Sequence, residues 1–407
     1  MLPRTFPIRI SAITRGNTVN KKSFLLILGL AGFIVMADNW VVSPILPAIA
    51  QDLNIPVTRA GLLISAYMIP FGLFQLIFGS LADRYGKRQI ITGSMIVFTV
   101  ATGLCSIGLT LTDLAIYRAL TGIFAACVMP ISLALIGDLF PMKERQSAIG
   151  MFMGISFLGQ GLSMAIGGSI AYFLNWRWVF ALYAVLAIVS TLLLFTLGRH
   201  IPSQKNPHSH FFRPYFTLLG HSQSALTYLV VALEGWLIIG SFSYLGGFLS
   251  SQFHFNYLKI GFIMTAFGVM AIIGGRLSGK LAGKLGRRKV LLIGLASATA
   301  ANALFGATGE NLAGVICGVS LLGFGFMLAH SSLLTRATMF AKKARGAAMS
   351  LVAFCFMGGG GVGTAIGGRI IARSSYMRFF SLNGALLAGL LILAALTIRH
   401  EPHLEAE

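Results

Sequence analysis

Gly79-Ser80-Leu81-Ala82-Asp83-Arg84-Tyr85-Gly86-Lys87-Arg88 stands between two long apolar stretches, and 200 residues later the chain repeats it as Gly279-Lys280-Leu281-Ala282-Gly283-Lys284-Leu285-Gly286-Arg287-Arg288. A short basic hairpin at the same place in each half of the chain is most simply read as a duplicated membrane unit. The likeness runs on. Lys143-Glu144-Arg145 and Lys343-Ala344-Arg345 open corresponding segments, and Ala165-Ile166-Gly167-Gly168 returns as Ala365-Ile366-Gly367-Gly368.

Composition agrees. The 407 residues are 56% hydrophobic and 10% charged, with a mean hydropathy of +0.82, whereas soluble chains are about a quarter charged. Most of this surface must face lipid. Cutting at charged and turn-rich points leaves apolar stretches at 23–46, 59–82, 89–111, 114–140, 147–172, 178–197, 224–249, 258–282, 290–308, 312–340, 347–373 and 378–398. Each is near or above the roughly 20 residues a helix needs to cross about 30 Å of hydrocarbon. The expected fold is an all-α integral membrane protein of twelve spans in two pseudo-symmetric six-helix halves. Residues 1–22 form a basic arm, 23–197 the first half, 198–222 a polar linker rich in Pro, His and Ser, 223–398 the second half and 399–407 a tail. Phe211, Phe212, Tyr215 and Phe216 of the linker suit a membrane interface.

Charge orients the spans. The arm (Arg4, Arg9, Arg15, Lys21, Lys22) and alternate loops hold most cations, among them Arg84, Lys87, Arg88, Lys143, Arg145, Arg287, Arg288, Lys289, Lys342, Lys343 and Arg345. The intervening loops offer mainly Arg59, Arg177, Lys259, Arg373 and Arg378. By the positive-inside rule both termini are expected in the cytoplasm of a bacterial inner membrane. The net charge of +20 is then a topology signal and an attraction to anionic lipids. Nucleic acid is not an expected partner, because the cations are scattered over hairpins and form no single face. The apolar run after the arm outlasts a signal-peptide core and meets no cleavage site, so it reads as a span that stays; an organellar transit peptide is the weaker alternative. Cys105, Cys127, Cys317 and Cys355 lie far apart inside predicted helices and read as core residues, with no disulfide framework or metal site expected.

No ATP engine is visible. Gly274-Gly275-Arg276-Leu277-Ser278-Gly279-Lys280-Leu281 imitates a phosphate-binding loop but ends in Leu281, where Ser or Thr would hold magnesium. The Gly358-Gly359-Gly360-Gly361 run lies in an apolar segment and reads as close helix packing. No cofactor is expected, and energy must come from a proton gradient or from the substrate's own.

At these residues the chain resembles the major facilitator superfamily over nearly its whole length. The first hairpin is similar to that family's G-x-L-x-D-R-x-G-R/K-R/K loop between helices 2 and 3; the second keeps glycines and cations but has Gly283 in place of the acid. Arg118-Ala119-Leu120-Thr121-Gly122 is similar to the R-x-x-x-G element of the drug:proton antiporter branch, and Pro44-Ile45-Leu46-Pro47 to its P-x-x-P. One element departs: where that branch has G-x-x-x-G-P-x-x-G-G in helix 5, Gly159 to Gly168 has Ser163-Met164 for the inner Gly-Pro pair. The resemblance implies alternating access by rocking of the halves. It also implies a gate built from Gly79, Asp83, Arg84, Gly86, Lys87, Arg88 and Asp138 with Gly279, Gly286, Arg287 and Arg288. There Arg84, Arg88 and Lys143 would pair with Asp83 and Asp138, and Asp83 would face the start of helix 11. Gly159, Gly167, Gly168, Gly367 and Gly368 are expected in helix packing.

Ionisable groups inside spans are functional candidates by their cost. Asp38 and Glu234 occupy helices 1 and 7, matching places in the two halves. They do not superpose, since the counterpart of Asp38 is Ile238, and are expected on opposite walls of a central cavity. Arg118 beside Asp38 would stabilise its ionised form, so that proton and substrate could exchange at one carboxylate; the alternative is an Arg that snorkels outward. His330 titrates near neutral pH or merely bonds a neighbouring helix. Arg276 and Arg336 are expected to snorkel. Trp40, Tyr67, Phe71, Met129, Trp236, Tyr244 and Met327 are the candidate substrate contacts. The expected function is proton-coupled efflux of hydrophobic or amphipathic small molecules by a monomer. The alternatives are a carrier of sugars or other metabolites, in either direction, and a non-transporting membrane sensor or scaffold. No nucleophile–base pair or metal cluster points to an enzyme.

Overall fold

The computed structural model describes residues 21–198, 213–307, 311–340 and 345–398. The arm with Arg4, Arg9 and Arg15, linker residues 199–212 with Phe211 and Phe212, Lys342 and Lys343, and the tail from 399 lie outside the described residues. Among the described residues twelve helices are long and apolar enough to cross a membrane: spans 1 to 6 are Lys21–Trp40, Val57–Tyr85, Lys87–Cys105, Leu111–Leu139, Lys143–Phe173 and Trp176–Thr196, and spans 7 to 12 are Ser222–Phe253, Tyr257–Leu285, Arg287–Ala307, Leu312–Met339, Gly346–Arg373 and Tyr376–Thr397. The chain is a multi-pass membrane protein of two six-span halves. Side chains such as Val100, Ile116, Val185, Phe262 and Ile392 stand exposed around it, as a lipid-facing belt requires.

Local chemistry sets the ends of the spans. Each basic hairpin turns on a glycine with positive φ, Gly86 at 103° and Gly286 at 83°, a conformation that a Cβ disfavours. The face carrying these two turns is the hairpin face. At the other face, spans 4, 6, 8, 10 and 12 start on side-chain caps, namely Thr110, Asn175, Asn256, Asn311 and Ser375, each accepting from a backbone N–H of its first turn.

Three spans are interrupted midway, and sequence reading drew all three as continuous. Span 1 breaks at Val41 and resumes as Val42–Asp52, span 4 breaks between Ala125 and Val128, and span 7 carries a π-helical turn, Gly235–Ile239, straight after Glu234. Pro47 cannot donate to the carbonyl of Ser43. That oxygen instead faces span 7, where a Cβ on Gly246 would come within 2.3 Å of it.

Glycines set how closely the spans approach, since lipid gives no hydrophobic drive for helices to associate. Within the first half Gly159 lies against the backbone of Phe33, Gly167 against Val41, and Gly122 against the backbone of Tyr67. Within the second, Gly235, Gly359 and Gly363 knit span 7 to span 11. Between halves, Gly161 and Gly168 of span 5 meet Gly268 and Gly261 of span 8, while Gly72 of span 2 meets Phe354 of span 11 and Gly368 of span 11 meets Thr58. Ser65 Oγ donates to Gly361 O at 2.8 Å, and Ser43 Oγ to Phe242 O at 2.7 Å. Tyr257 and Gln51 add a side-chain hydrogen bond across the face opposite the hairpins. That face is closed. At the hairpin face Gly79, Gly150, Gly154, Gly279, Gly283 and Gly346 would meet nothing within 4 Å, so the halves stand apart there.

Candidate functional site

A cavity of about 170 Å³ lies between the halves. It runs from Trp40, at the break of span 1, to Met349, four residues into the helix Arg345–Arg373. Trp40, Phe71, Met129 and Met327, expected from sequence, all line it. So do Met36, Gln75, Met153, Gln160, Met349 and Met357, which sequence reasoning missed. Their signal was the spacing: 36 and 40, 71 and 75, and 349, 353 and 357 recur every fourth residue, one helical face each. Six methionines give a soft, re-packable wall. Gln75 and Gln160 are 6% and 3% exposed, and Gln75 Oε1 and Gln160 Nε2 have no hydrogen-bond partner among the described residues.

The two halves each tie their first helix to their fourth through a buried carboxylate. In the second half His330 Nδ1 lies 3.2 Å from Glu234 Oε2. His330 is 19% exposed and lines the cavity, whereas Glu234 is fully buried behind it. Phe326 and Phe356 flank the imidazole at 5.4 and 4.5 Å between ring centroids. The pair also adjoins the π-turn, a feature frequent at functional sites.

In the first half Arg118 Nη1 donates to Asp38 Oδ2 at 2.6 Å, with both side chains at 1% exposure or less. The guanidinium stacks 4.3 Å from the ring of Tyr67 and lies 5.8 Å from Phe180. This Arg does not snorkel. Nor does Asp38 stand on the cavity wall opposite Glu234: span 1 turns Met36 and Trp40 to the cavity and Asp38 into its own half. Tyr67 follows Asp38 inward as the seat of the cation.

Other expectations need correcting. Tyr244 packs outside the cavity, donating to Thr364 O at 2.8 Å and filling the space beside Gly61 and Gly368. Trp236, on the π-turn, is partly buried with its backbone against Gly363 and does not line the cavity. Gly367 and Gly368 sit under Phe379 and Tyr244. Arg336 is 8% exposed and donates to Thr227 and Gln223 of span 7, so it does not snorkel; Arg276 is exposed. Cys105 and Cys127 are buried, but Cys317 is exposed. At the hairpin, Asp138 takes its ion pair from Lys87, 2.7 Å away, and not from Arg84, Arg88 or Lys143, while Asp83 is exposed. No ion pair among the described residues joins the two halves.

Residues 28–338 and 248–407 match the sequence profile of the Major Facilitator Superfamily. The MFS-type transporter YceJ of Bacillus subtilis is 28% identical over 65% of this chain and 67% of its own length. The multidrug transporter protein MdtP of the same organism is 32% identical over 54% of the chain, a match that spans 42% of that relative. Among solved structures, the nucleoside transporter NupG superposes with a TM-score of 0.79 over 93% of this chain and 100% of its own, at 14% identity. Each is a likeness, and the last is one of fold alone.

Proposed function

Because the chain belongs to the Major Facilitator Superfamily, we propose that the transport it performs is the export of hydrophobic or amphipathic small molecules in exchange for protons, by alternating access in a bacterial inner membrane. One observation carries the reading: the cavity between the halves is walled by methionine and aromatic side chains, and its titratable group, His330, is backed by a sealed carboxylate, Glu234. Methionine walls fit bodies of varied shape. Gln75 and Gln160 offer one acceptor and one donor for a polar end, which is what an amphipathic compound brings.

Glu234 reaches the cavity only through His330, so proton and substrate meet the pair from one space. Gain or loss of a proton changes the pair's charge by one, and a cationic or polar substrate beside the imidazole shifts that balance. Binding then releases a proton. Return of a proton after the halves rock restores the pair and completes the exchange. The positive-inside rule puts the hairpin face in the cytoplasm, so the conformation described is the one that loads cargo for export. The free volume is below the roughly 300–1,000 Å³ of drug-sized sites, so cargo must part the halves or re-pack the methionines on entry.

Proteoliposomes holding a pH dye, offered dyes, antibiotics, sugars and nucleosides, test the reading. Amphipathic compounds are expected to dissipate an imposed pH gradient. Glu234→Gln should abolish uphill, pH-driven movement while downhill exchange continues, because the cavity keeps its shape. Full pH-driven accumulation by Glu234→Gln, or movement of sugars or nucleosides alone, would overturn it.

A further inference from the structure

The cavity wall carries two buried amides that lack full satisfaction. Gln75 of span 2 and Gln160 of span 5 line it at 6% and 3% exposure, and Gln75 Oε1 and Gln160 Nε2 have no hydrogen-bond partner among the described residues. Burying such a group without a partner costs more than a typical hydrogen bond contributes, so each needs a reason. The repeat does not supply one. At the offset of 200 residues the second half has Gly275 and Gly360, and apolar side chains take the room beside them, Met327 at Gly275 and Met68 with Ile239 at Gly360. Spans 8 and 11 therefore pack with no amide at the corresponding places. The same wall bears no carboxylate among the described residues. Asp38 is turned into its own half and paired to Arg118, and Glu234 is sealed behind His330. Asp83, Asp138 and Glu144 stand exposed at hairpin-face ends of spans, Asp52 and Asp113 lie at the opposite face, and Glu310, Glu401, Glu405 and Glu407 lie outside the described residues.

From these buried amides in a wall without an acid, and resting on the export of amphipathic compounds proposed for this cavity, we propose that Gln75 and Gln160 select cargo by its polar end, and that this end is uncharged and carries both a donor and an acceptor, as a carboxamide, lactam or imide does. This narrows the cationic and polar cargoes that export admits. A permanent cation leaving water would meet the aromatic faces of Trp40, Phe71, Phe326 and Phe356 but no opposite charge on the wall, and ring faces replace little of the hydration of an ion. A donor–acceptor group meets matching partners, because each glutamine amide offers both functions. A site built to hydrogen-bond a group also rejects analogues lacking it far more strongly than an apolar pocket discriminates size. The methionines then accept varied bodies, and the two amides fix the chemistry of the end.

Binding is measured directly on the full-length protein purified in detergent, with compounds that share one fluorescent naphthyl body and end in a primary carboxamide, its N,N-dimethyl form, a trimethylammonium or a methyl group. The carboxamide should bind about tenfold or more tighter than the ammonium and methyl members, with the dimethyl amide, which accepts but does not donate, in between. Gln75→Leu and Gln160→Leu should each weaken carboxamide binding about tenfold, leave the methyl member within about threefold, and melt no lower than the parent, because each removes a buried polar atom without a partner. Gln160→Glu keeps the shape and puts an acid on the wall, so it should invert the order in favour of the ammonium. If a Leu variant fails to fold, the order on the parent and on Gln160→Glu decides. Leu variants that melt lower and bind the carboxamide as the parent does would make the amides structural, and a parent that binds carboxamide and ammonium alike would show no selection. Either result overturns the proposal while export of amphipathic compounds stands. If no member of the series binds, that reading of the cavity falls, and the proposal with it.

Discussion

The first half hides its ion pair and the second half shows one partner to the cavity. Asp38 and Arg118 are locked among Tyr67, Phe180 and the cores of spans 1 and 4, while His330 faces the cavity with Glu234 behind it. The duplicated positions tell why the charges cannot trade places. The counterparts of Asp38, Arg118, Tyr67 and Cys105 are Ile238, Gly318, Phe267 and Phe305, and the ring of Phe305 occupies the space beside Gly318, 2.5 Å from where a Cβ would stand. One half filled that site with a salt bridge and the other with a phenyl ring. Ser241 there bonds Asn302 and Asn383 at 2.7 and 2.8 Å, so the second half is held at this level by neutral polar groups. The titratable pair stands elsewhere, nine residues from the hairpin-face end of span 10 at Met339, whereas Arg118 stands seven residues from the opposite end of span 4 at Leu111. On the proposed reading, a structural pair and a working pair are divided between two copies of one unit.

Breaking each pair in turn tests that division, and the largest effect is expected in the first half. Asp38→Asn leaves the Arg118 guanidinium buried without a countercharge, and removing one partner of a buried pair costs about 3–5 kcal/mol. The variant should lose yield and melt many degrees lower in detergent. Glu234→Gln should cost far less, about 1 kcal/mol, since its partner His330 is partly exposed and the amide keeps a polar atom beside His330 Nδ1. If Asp38→Asn were as stable as the parent and had lost only pH-driven transport, the sealed pair would be the working one and the assignment of the two halves would have to be reversed.

The two hairpins give a smaller contrast. With the hairpin face open, Asp83 is exposed and Lys87 is held by Asp138, so any contribution of Asp83 falls on the closed state, where the resemblance sets it against the start of helix 11. Asp83→Asn should shift the balance toward the open hairpin face by about 1–2 kcal/mol, slowing transport with substrate affinity nearly intact. Spin labels on the hairpin-face ends of spans 2 and 11 would report the longer distance at higher population. Weaker substrate binding with an unchanged distance distribution would remove Asp83 from the gate.

How far the sequence could be read follows from the solvent. Span number, the paired hairpins and the duplication were legible because length, charge and a fixed offset survive without knowledge of orientation. Which face of each span looks inward was not. In lipid the outer face is as apolar as the interior, so Tyr244 in its packed corner and Met349 on the cavity carry no contrasting signal. Asp38 was recognisable as a costly acid, but its neighbours Tyr67 and Phe180 come from spans 2 and 6 and are joined to it only by folding. The breaks at Val41 and at Gly235–Ile239 were equally hidden, the first foreshadowed by Pro44 and Pro47 and the second by no residue that forbids a regular helix.

The smallest expected effect concerns what the halves share. Met36, Met129 and Met153 come from the first half, and Met327, Met349 and Met357 from the second. Each half therefore contributes three thioethers to the wall, although their acids have diverged. Methionine and leucine are near in volume, and such exchanges usually cost less than about 1.5 kcal/mol in packing, so the stability of either triple Leu variant should change little. Leucine is branched and less adaptable than methionine, so the range of accepted compounds should narrow while the best one keeps its affinity within about tenfold. If cargo lies between the halves, the two triple variants should narrow that range alike, measured as competition by a panel of amphipathic compounds against one fluorescent substrate. A loss confined to the second-half triple would place cargo against spans 10 and 11 alone, beside His330, and the first half would then be scaffold in its cavity wall as it is in its ion pair.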